Sequence, residues 1–202
     1  MWLAVWSVVL FCAPMLISSP SYVVGQYHEW FTCLVEKNAE NLGSIQQNIS
    51  LLGLVRRTTG CMNYSDLWLI LPGMALFALP YLRFSQYKNL AFRETILASV
   101  LLFVILFSTG SEASGYVIAL LGVCIWYTAA PWKRGKWAIA LMVFVFLLSG
   151  MGSSDLFPKF IRQEYIKPYA LRALPISILW LWLCYELCTK DYTPIEKVDA
   201  HE

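Results

Sequence analysis

The sequence predicts an all-α, polytopic helical membrane protein. About six transmembrane helices and an amphipathic outer-surface helix near residues 44–57 form a single integral membrane domain over residues 1–202. Composition is the first reason: charged residues make up 14% of the chain, against about a quarter in soluble domains, and hydrophobic residues 58%. Segmentation is the second. Apolar runs recur at Trp2–Ser19, Leu67–Leu82, Thr95–Thr109, Tyr116–Ala130, Trp137–Ser149 and Leu171–Cys188. Each approaches the ~17–25 residues that carry a helix across a bilayer. Charge asymmetry between the connections is the third, because cations favour the cytoplasmic side of short loops.

The first run starts directly at WLAVWSVVLFCAPML, with no Lys or Arg before it. A signal peptide normally opens with a positive stretch, so this run reads as an interior span of a longer protein. The connection from Arg83 to Arg93 holds Arg83, Lys88 and Arg93, and PWKRGKW holds Lys133, Arg134 and Lys136. Both are expected on the cytoplasmic side. The turn STGSEASG, Ser108–Gly115, has no cation and one acid, Glu112, and is expected outside, with residues 20–66 and 150–168. Trp68, Trp126, Trp132 and Trp137 lie near span ends, as an interfacial aromatic belt requires.

The connection from Pro20 to Asp66 is about 47 residues long. Structureless loops of that length are uncommon unless they have a function. Within it, SIQQNISLLGLVRR (44–57) opens with Ser44 and Gln47 in capping-box spacing and is followed by Gly60. On a helical wheel Ile45, Ile49, Leu51, Leu52 and Val55 share one arc, and Gln46, Ser50, Gly53 and Arg57 the opposite one. Such a helix lies at the membrane surface or tucks into the bundle. Asn48 and Arg56 fall in the apolar arc, where they need partners. Arg56 and Arg57 either fork onto an anionic group at the outer surface or anchor the helix to lipid headgroups. Asn48-Ile49-Ser50 and Asn63-Tyr64-Ser65 match a glycosylation sequon that is common by chance.

In FSTGSEASGY, Phe107–Tyr116, Glu112 sits among small residues that allow close backbone approach. It is either a group that accepts a proton or a sugar hydroxyl, or an exposed loop acid. DLFPKFIRQEYIKPYALRALP, Asp155–Pro175, mixes Lys159, Arg162 and Lys167 with aromatics, as suits the headgroup level. Arg172 at the start of the last span and Glu186 near its end are expected to snorkel to the span's edges. Cys33 and Cys61 are both on the expected outer side and could pair, though their spacing does not require it. Cys184 and Cys188 share a helix face without the His or carboxylate partners of a metal site. Net charge is +2 and no basic stripe runs along the chain, so nucleic acid is not an expected partner.

In order, SSPSYV, HEWFTCLVEKN, NISLLGLVRR, FSTGSEASGY and DLFPKFIRQEYIKPYALRALP resemble the carboxy-terminal half of glycosyltransferase family 87, in its Bacteroidetes-type form. The resemblance runs from about Pro14 to Tyr185 and is most specific around Asn48, Ser50, Gly53, Arg56 and Arg57, then around Glu112 and Tyr116. It implies a GT-C fold enzyme of a bacterial inner (plasma) membrane with its active face outside the cytoplasm. It implies hexosyl transfer, commonly mannosyl, from a polyprenyl-phosphate sugar to an extracytoplasmic acceptor. Membrane lipid and the lipid-linked sugar are then the expected partners. No cofactor is expected, and a divalent metal, although compatible with the chemistry, has no support in the residues.

On this resemblance Asn48, Ser50, Arg56, Arg57, Glu112, Tyr116 and Arg162 are the substrate-binding candidates. GT-C enzymes usually carry the catalytic acid in the first outer loop, and no stretch here matches that loop. The general base is therefore expected in an upstream chain or amino-terminal half, with Glu112 as the candidate inside this chain. The alternatives are a non-catalytic membrane subunit or inactive remnant, and then a small transporter. The transporter would be marked by Pro72, Gly73 and Pro80 in one span, but no matching repeat accompanies them.

Overall fold

The computed structural model describes residues 2–44, 46–61 and 64–193. The chain falls into two compact units, Met1–Gly43 and Ser44–Glu202. Among the described residues every regular element is helical. No single helix there is long and apolar enough to cross a membrane, but one bent pair in the first unit has the length and composition together.

That pair consists of α1 (Trp2–Cys12), extended by a 3-10 turn over Ala13–Leu16, and α2 (Pro20–Gly43). The two are bent by 119°. Proline at the first position of α2 suits a helix start, where its missing N–H would be unsatisfied anyway. Tyr27 fixes the bend: its ring stacks on Phe11 at 4.4 Å and its hydroxyl donates to the Phe11 carbonyl at 2.7 Å. Most of the connection expected after Pro20 is thus not a loop. A 24-residue helix fills it, because its apolar residues recur at helical spacing.

The second unit holds α3 (Leu51–Thr59), α4 (Leu67–Ala78), α5 (Leu90–Leu106), α6 (Tyr116–Ala129), α7 (Lys136–Phe144), the short α8 (Lys159–Ile161) and α9 (Ala173–Thr189). A 3-10 turn, Leu79–Leu82, prolongs α4 and a π-turn, Val145–Gly150, prolongs α7. All six apolar runs are therefore helical, within a few residues of their expected ends. α5 lies at the centre, against α6 on one side and α9 on the other. Small residues set the first contact: Ala98 and Ala119 are fully buried, and a Cβ on Gly122 would stand 3.1 Å from the Ala98 carbonyl. Small residues at the contact let the two backbones approach closely. Aromatic rings fill the other side, where Phe77, Phe103, Phe107 and Trp180 pack in sequence at 4.6, 4.5 and 5.3 Å.

The cationic turns gather at one end of this unit. Arg83 donates to the carbonyls of Leu187 and Lys190 at 2.7 and 2.8 Å, satisfying the open C-terminus of α9. Arg134 bonds Glu186, which also accepts from the indoles of Trp126 and Trp182 at 2.8 and 3.0 Å. Glu186 is buried and does not snorkel. Three donor nitrogens converge on it, so the carboxylate has no need to reach water. All six cysteines are free thiols, Cys33 and Cys61 included.

Candidate active site

The opposite end of the second unit is built around residues 44–60. Ser44 Oγ accepts from the Gln47 N–H at 3.2 Å, as half of a capping box. The helix expected from Ser44 does not follow, because Asn48 takes a left-handed backbone (φ 55°) and breaks it. α3 starts instead after Ser50, whose hydroxyl caps the Gly53 N–H at 3.1 Å and donates to Asn48 Oδ1 at 2.7 Å. Glycine is needed at 53, since a Cβ there would lie 1.9 Å from the Asn48 carbonyl oxygen. The helix ends at Gly60 with φ 70°, as expected. Ser50 and Gly53, expected on the polar arc, are buried, because protein rather than water covers that arc as α3 tucks against α9. Ile45, and Asn63 of the second sequon, lie outside the described residues.

The two arginines diverge. Arg56, 2% exposed, points inward: it pairs with Asp66 at 2.9 Å, donates to the Tyr64 carbonyl at 3.3 Å and lies over the Tyr64 ring at 4.8 Å. Arg57 is half-buried and donates to the carbonyls of Ser44, Gln47 (2.8 Å) and Lys167 (3.3 Å). Burial pulls its pKa below the ordinary guanidinium value, though a guanidinium stays charged at any physiological pH.

Residues 46–50 dock on the Glu112 turn. The Ile49 N–H donates to the Ser111 carbonyl and the Tyr116 hydroxyl to the Ile49 carbonyl, both at 2.8 Å. Gln47 Nε2 reaches Glu112 Oε1 at 3.2 Å. Beside this junction opens a pocket of about 470 Å³, lined by Gln46, Gln47, Glu112, Ser153, Lys167 and Arg172 among others.

Arg172 is 5% exposed and does not snorkel. Its Nε and Nη2 both donate to the Ser149 carbonyl, at 2.9 and 2.7 Å, and Nη1 to Ser153 Oγ at 2.8 Å. The guanidinium lies 4.4 Å over the Tyr116 ring. The π-turn makes that carbonyl available, because widening the helix shifts the backbone bonds out of the α-pattern. Ser149 Oγ returns a bond to the Arg172 carbonyl at 2.6 Å. Polar acceptors inside the bundle hold the charge where snorkelling would have carried it to the edge. Gly152 permits the fit, since a Cβ would stand 2.2 Å from the Leu148 carbonyl and 3.1 Å from Arg172 Cγ.

The family model of glycosyltransferase family 87 matches residues 1–109. The chain belongs to glycosyltransferase family 87. No curated protein and no solved structure matches it. The matched residues take in the NISLLGLVRR stretch and end within FSTGSEASGY, so the pocket of this family 87 chain joins a wall inside the match (Gln46, Gln47) to one beyond it (Glu112, Lys167, Arg172). The activity of family 87 is glycosyl transfer at a membrane.

Of the candidate residues of this family 87 chain, Glu112 lines the pocket, Tyr116 lies beneath Arg172, and Arg57 bonds the two backbone segments that frame it. Asn48, Ser50 and Arg56 are buried in the supporting turn. Arg162 bonds exposed Asp155 at 2.8 Å and is not a pocket residue. Gln47, Ser153, Lys167 and Arg172 were not foreseen as site residues. The available signal was Arg172 itself, an ionisable residue at a span boundary. Among the described residues no group of His, Cys, Asp and Glu could hold a metal ion.

Proposed function

We propose that the chain is a membrane hexosyltransferase component that takes its sugar from a polyprenyl-phosphate donor and receives the donor phosphate in the pocket between Gln47, Glu112 and Arg172. The observation that carries this reading is the state of Arg172. It is a buried cation on the pocket wall with no carboxylate partner among the described residues, and its three hydrogen bonds leave two of the five guanidinium N–H groups for a ligand. Lys167 and Arg57 also form no ion pair there. Arg56 and Arg162 already hold carboxylates, so the phosphate role passes from them to Arg172 and Lys167, with Arg57 holding the backbone segments that frame the pocket.

In the reaction, an acceptor hydroxyl attacks the anomeric carbon. The bond from that carbon to the phosphate oxygen breaks, polyprenyl phosphate leaves, and the hydroxyl proton passes to a carboxylate. Cations held in place before the reaction stabilise the charge that grows on the leaving phosphate. Glu112 is the pocket carboxylate that could take the proton, directly or through one water. An extracytoplasmic pocket is supported by its position at the end away from the cationic turns of Arg83 and Arg134, under the positive-inside rule.

The test is binding of a polyprenyl phosphate, against the matching unphosphorylated polyprenol, to the chain in lipid nanodiscs. The phosphate is expected to bind at least about tenfold more tightly, and Arg172→Gln to lose most of that margin. Equal affinity for the two lipids ends the reading. Glu112→Gln is expected to keep donor binding and to lose transfer.

A further inference from the structure

We propose that α2 lies in the plane of the membrane interface, with one face among the acyl chains and the other in water. On a helical wheel Val24, Tyr27, Trp30, Phe31, Leu34 and Val35 fall in one arc of about 140°, joined by Val23 and Leu42. Gln26, His28, Glu29, Glu36, Lys37 and Glu40 occupy the opposite side. In the structure Val24, Trp30, Phe31, Leu34 and Val35 are all exposed, so nothing within the first unit accounts for the apolar arc.

Two observations name lipid as what covers it. First, α1 is apolar all round and has no buried residue, the property of a helix whose solvent is hydrocarbon. Second, the 119° bend, fixed by Tyr27 on Phe11, turns α2 to within about 30° of perpendicular to α1. Membrane helices tilt by about 20° on average, so an α1 in the bilayer brings α2 close to its plane. α2 is not the returning half of a span. Glu29, Glu36, Lys37 and Glu40 would all enter hydrocarbon, at about 2.5–3.5 kcal/mol for each such group at the centre. The polar arc is net acidic, with Lys37 already bonded to Glu40 at 2.9 Å. Attachment therefore rests on the apolar arc and not on attraction to anionic headgroups.

The experiment is a nitroxide scan of positions 26–37 in the full chain, in phosphatidylethanolamine–phosphatidylglycerol vesicles, with the native cysteines replaced by alanine. Collision with oxygen reports lipid, and collision with a water-soluble nickel complex reports water. Positions 30, 31, 34 and 35 are expected to favour oxygen, at about 5–10 Å below the headgroups. Positions 29, 36 and 37 are expected to favour nickel, with a period near 3.6 residues. Low collision with both reagents along the apolar arc would mean protein covers it and would overturn the proposal. Uniform nickel access, or oxygen access on both arcs, would overturn it equally. Hydroxyl-radical footprinting of the unsubstituted chain in the same vesicles is a second readout. Trp30 and Phe31 should be protected and His28 oxidised, and the reverse pattern would sink the idea.

Discussion

One nitrogen of Arg134, Nη1, reaches both carboxylate oxygens of Glu186, at 2.7 and 2.8 Å, with both side chains more than nine-tenths buried. The same guanidinium lies 4.0 Å over the Trp126 ring. The α6–α7 turn is thereby tied to α9. Removing one partner of a buried pair leaves the other charge unmatched, so Glu186→Ala is expected to destabilise the chain by about 3–5 kcal/mol. Arg134→Leu with Glu186→Leu should lose less than the two single changes summed, though not return to wild type, since two indole N–H groups still lose their acceptor. Denaturation titrations in mixed detergent would measure both.

Asp66 stands to Arg56 as Glu186 does to Arg134. Two nitrogens of Arg56, Nε and Nη1, are buried without a partner among the described residues, so Asp66 carries most of the compensation. Asp66→Ala is expected to lower stability by about 3–5 kcal/mol. Arg56→Met with Asp66→Leu should recover part of it. A lysine at 56 should not substitute, because a point charge cannot hold both Asp66 and the Tyr64 carbonyl in the guanidinium's fork.

The turn at Asn48 depends on Gly53. Gly53→Ala brings a methyl to 1.9 Å from the Asn48 carbonyl oxygen, so the backbone must move, at about 1–3 kcal/mol or more. Ser50→Ala removes the cap on Gly53 and the bond to Asn48 Oδ1 but introduces no clash, and should cost about 1–2 kcal/mol. Limited proteolysis should cut Gly53→Ala faster than Ser50→Ala between residues 44 and 50.

The Asp191 carboxyl is held below its ordinary range by hydrogen bonds from the Thr193 hydroxyl and N–H and from the Gln86 amide. A carboxyl lowered in the folded state stabilises fully above its unfolded value, about 3.9, and loses that contribution as pH falls through the lowered one. The difference in thermal stability between wild type and Asp191→Asn should therefore stay constant from neutral pH to about 5 and close in stronger acid. A difference that changed between pH 6 and 8 would implicate another group.

The six apolar runs were legible because each is bounded by charge or turn residues, a purely local pattern. The Ser44–Gln47 capping box was also read correctly as a bond, but wrongly as a helix start, because Asn48 turns left-handed to place Ile49 against Ser111. That contact spans more than 60 residues and leaves no local trace. Arg172 and Glu186 looked like snorkelling residues for the same reason. Their acceptors and donors, Ser149, Arg134 and Trp126, lie far along the chain on other elements and turns. α2 is a different case. Its helical period was present in the sequence, and the mixture of charges and aromatics hid it under the appearance of a loop.

The acceptors of Arg57 and Arg172 are chiefly backbone carbonyls, at Ser44, Gln47, Lys167 and Ser149. A carbonyl carries no ionisable proton, and a guanidinium gives up none of its own at any physiological pH. Acid that would dissolve a carboxylate bridge leaves these bonds in place, and salt, which screens ion pairs, acts on them weakly. The frame of this pocket is fastened by bonds that register neither.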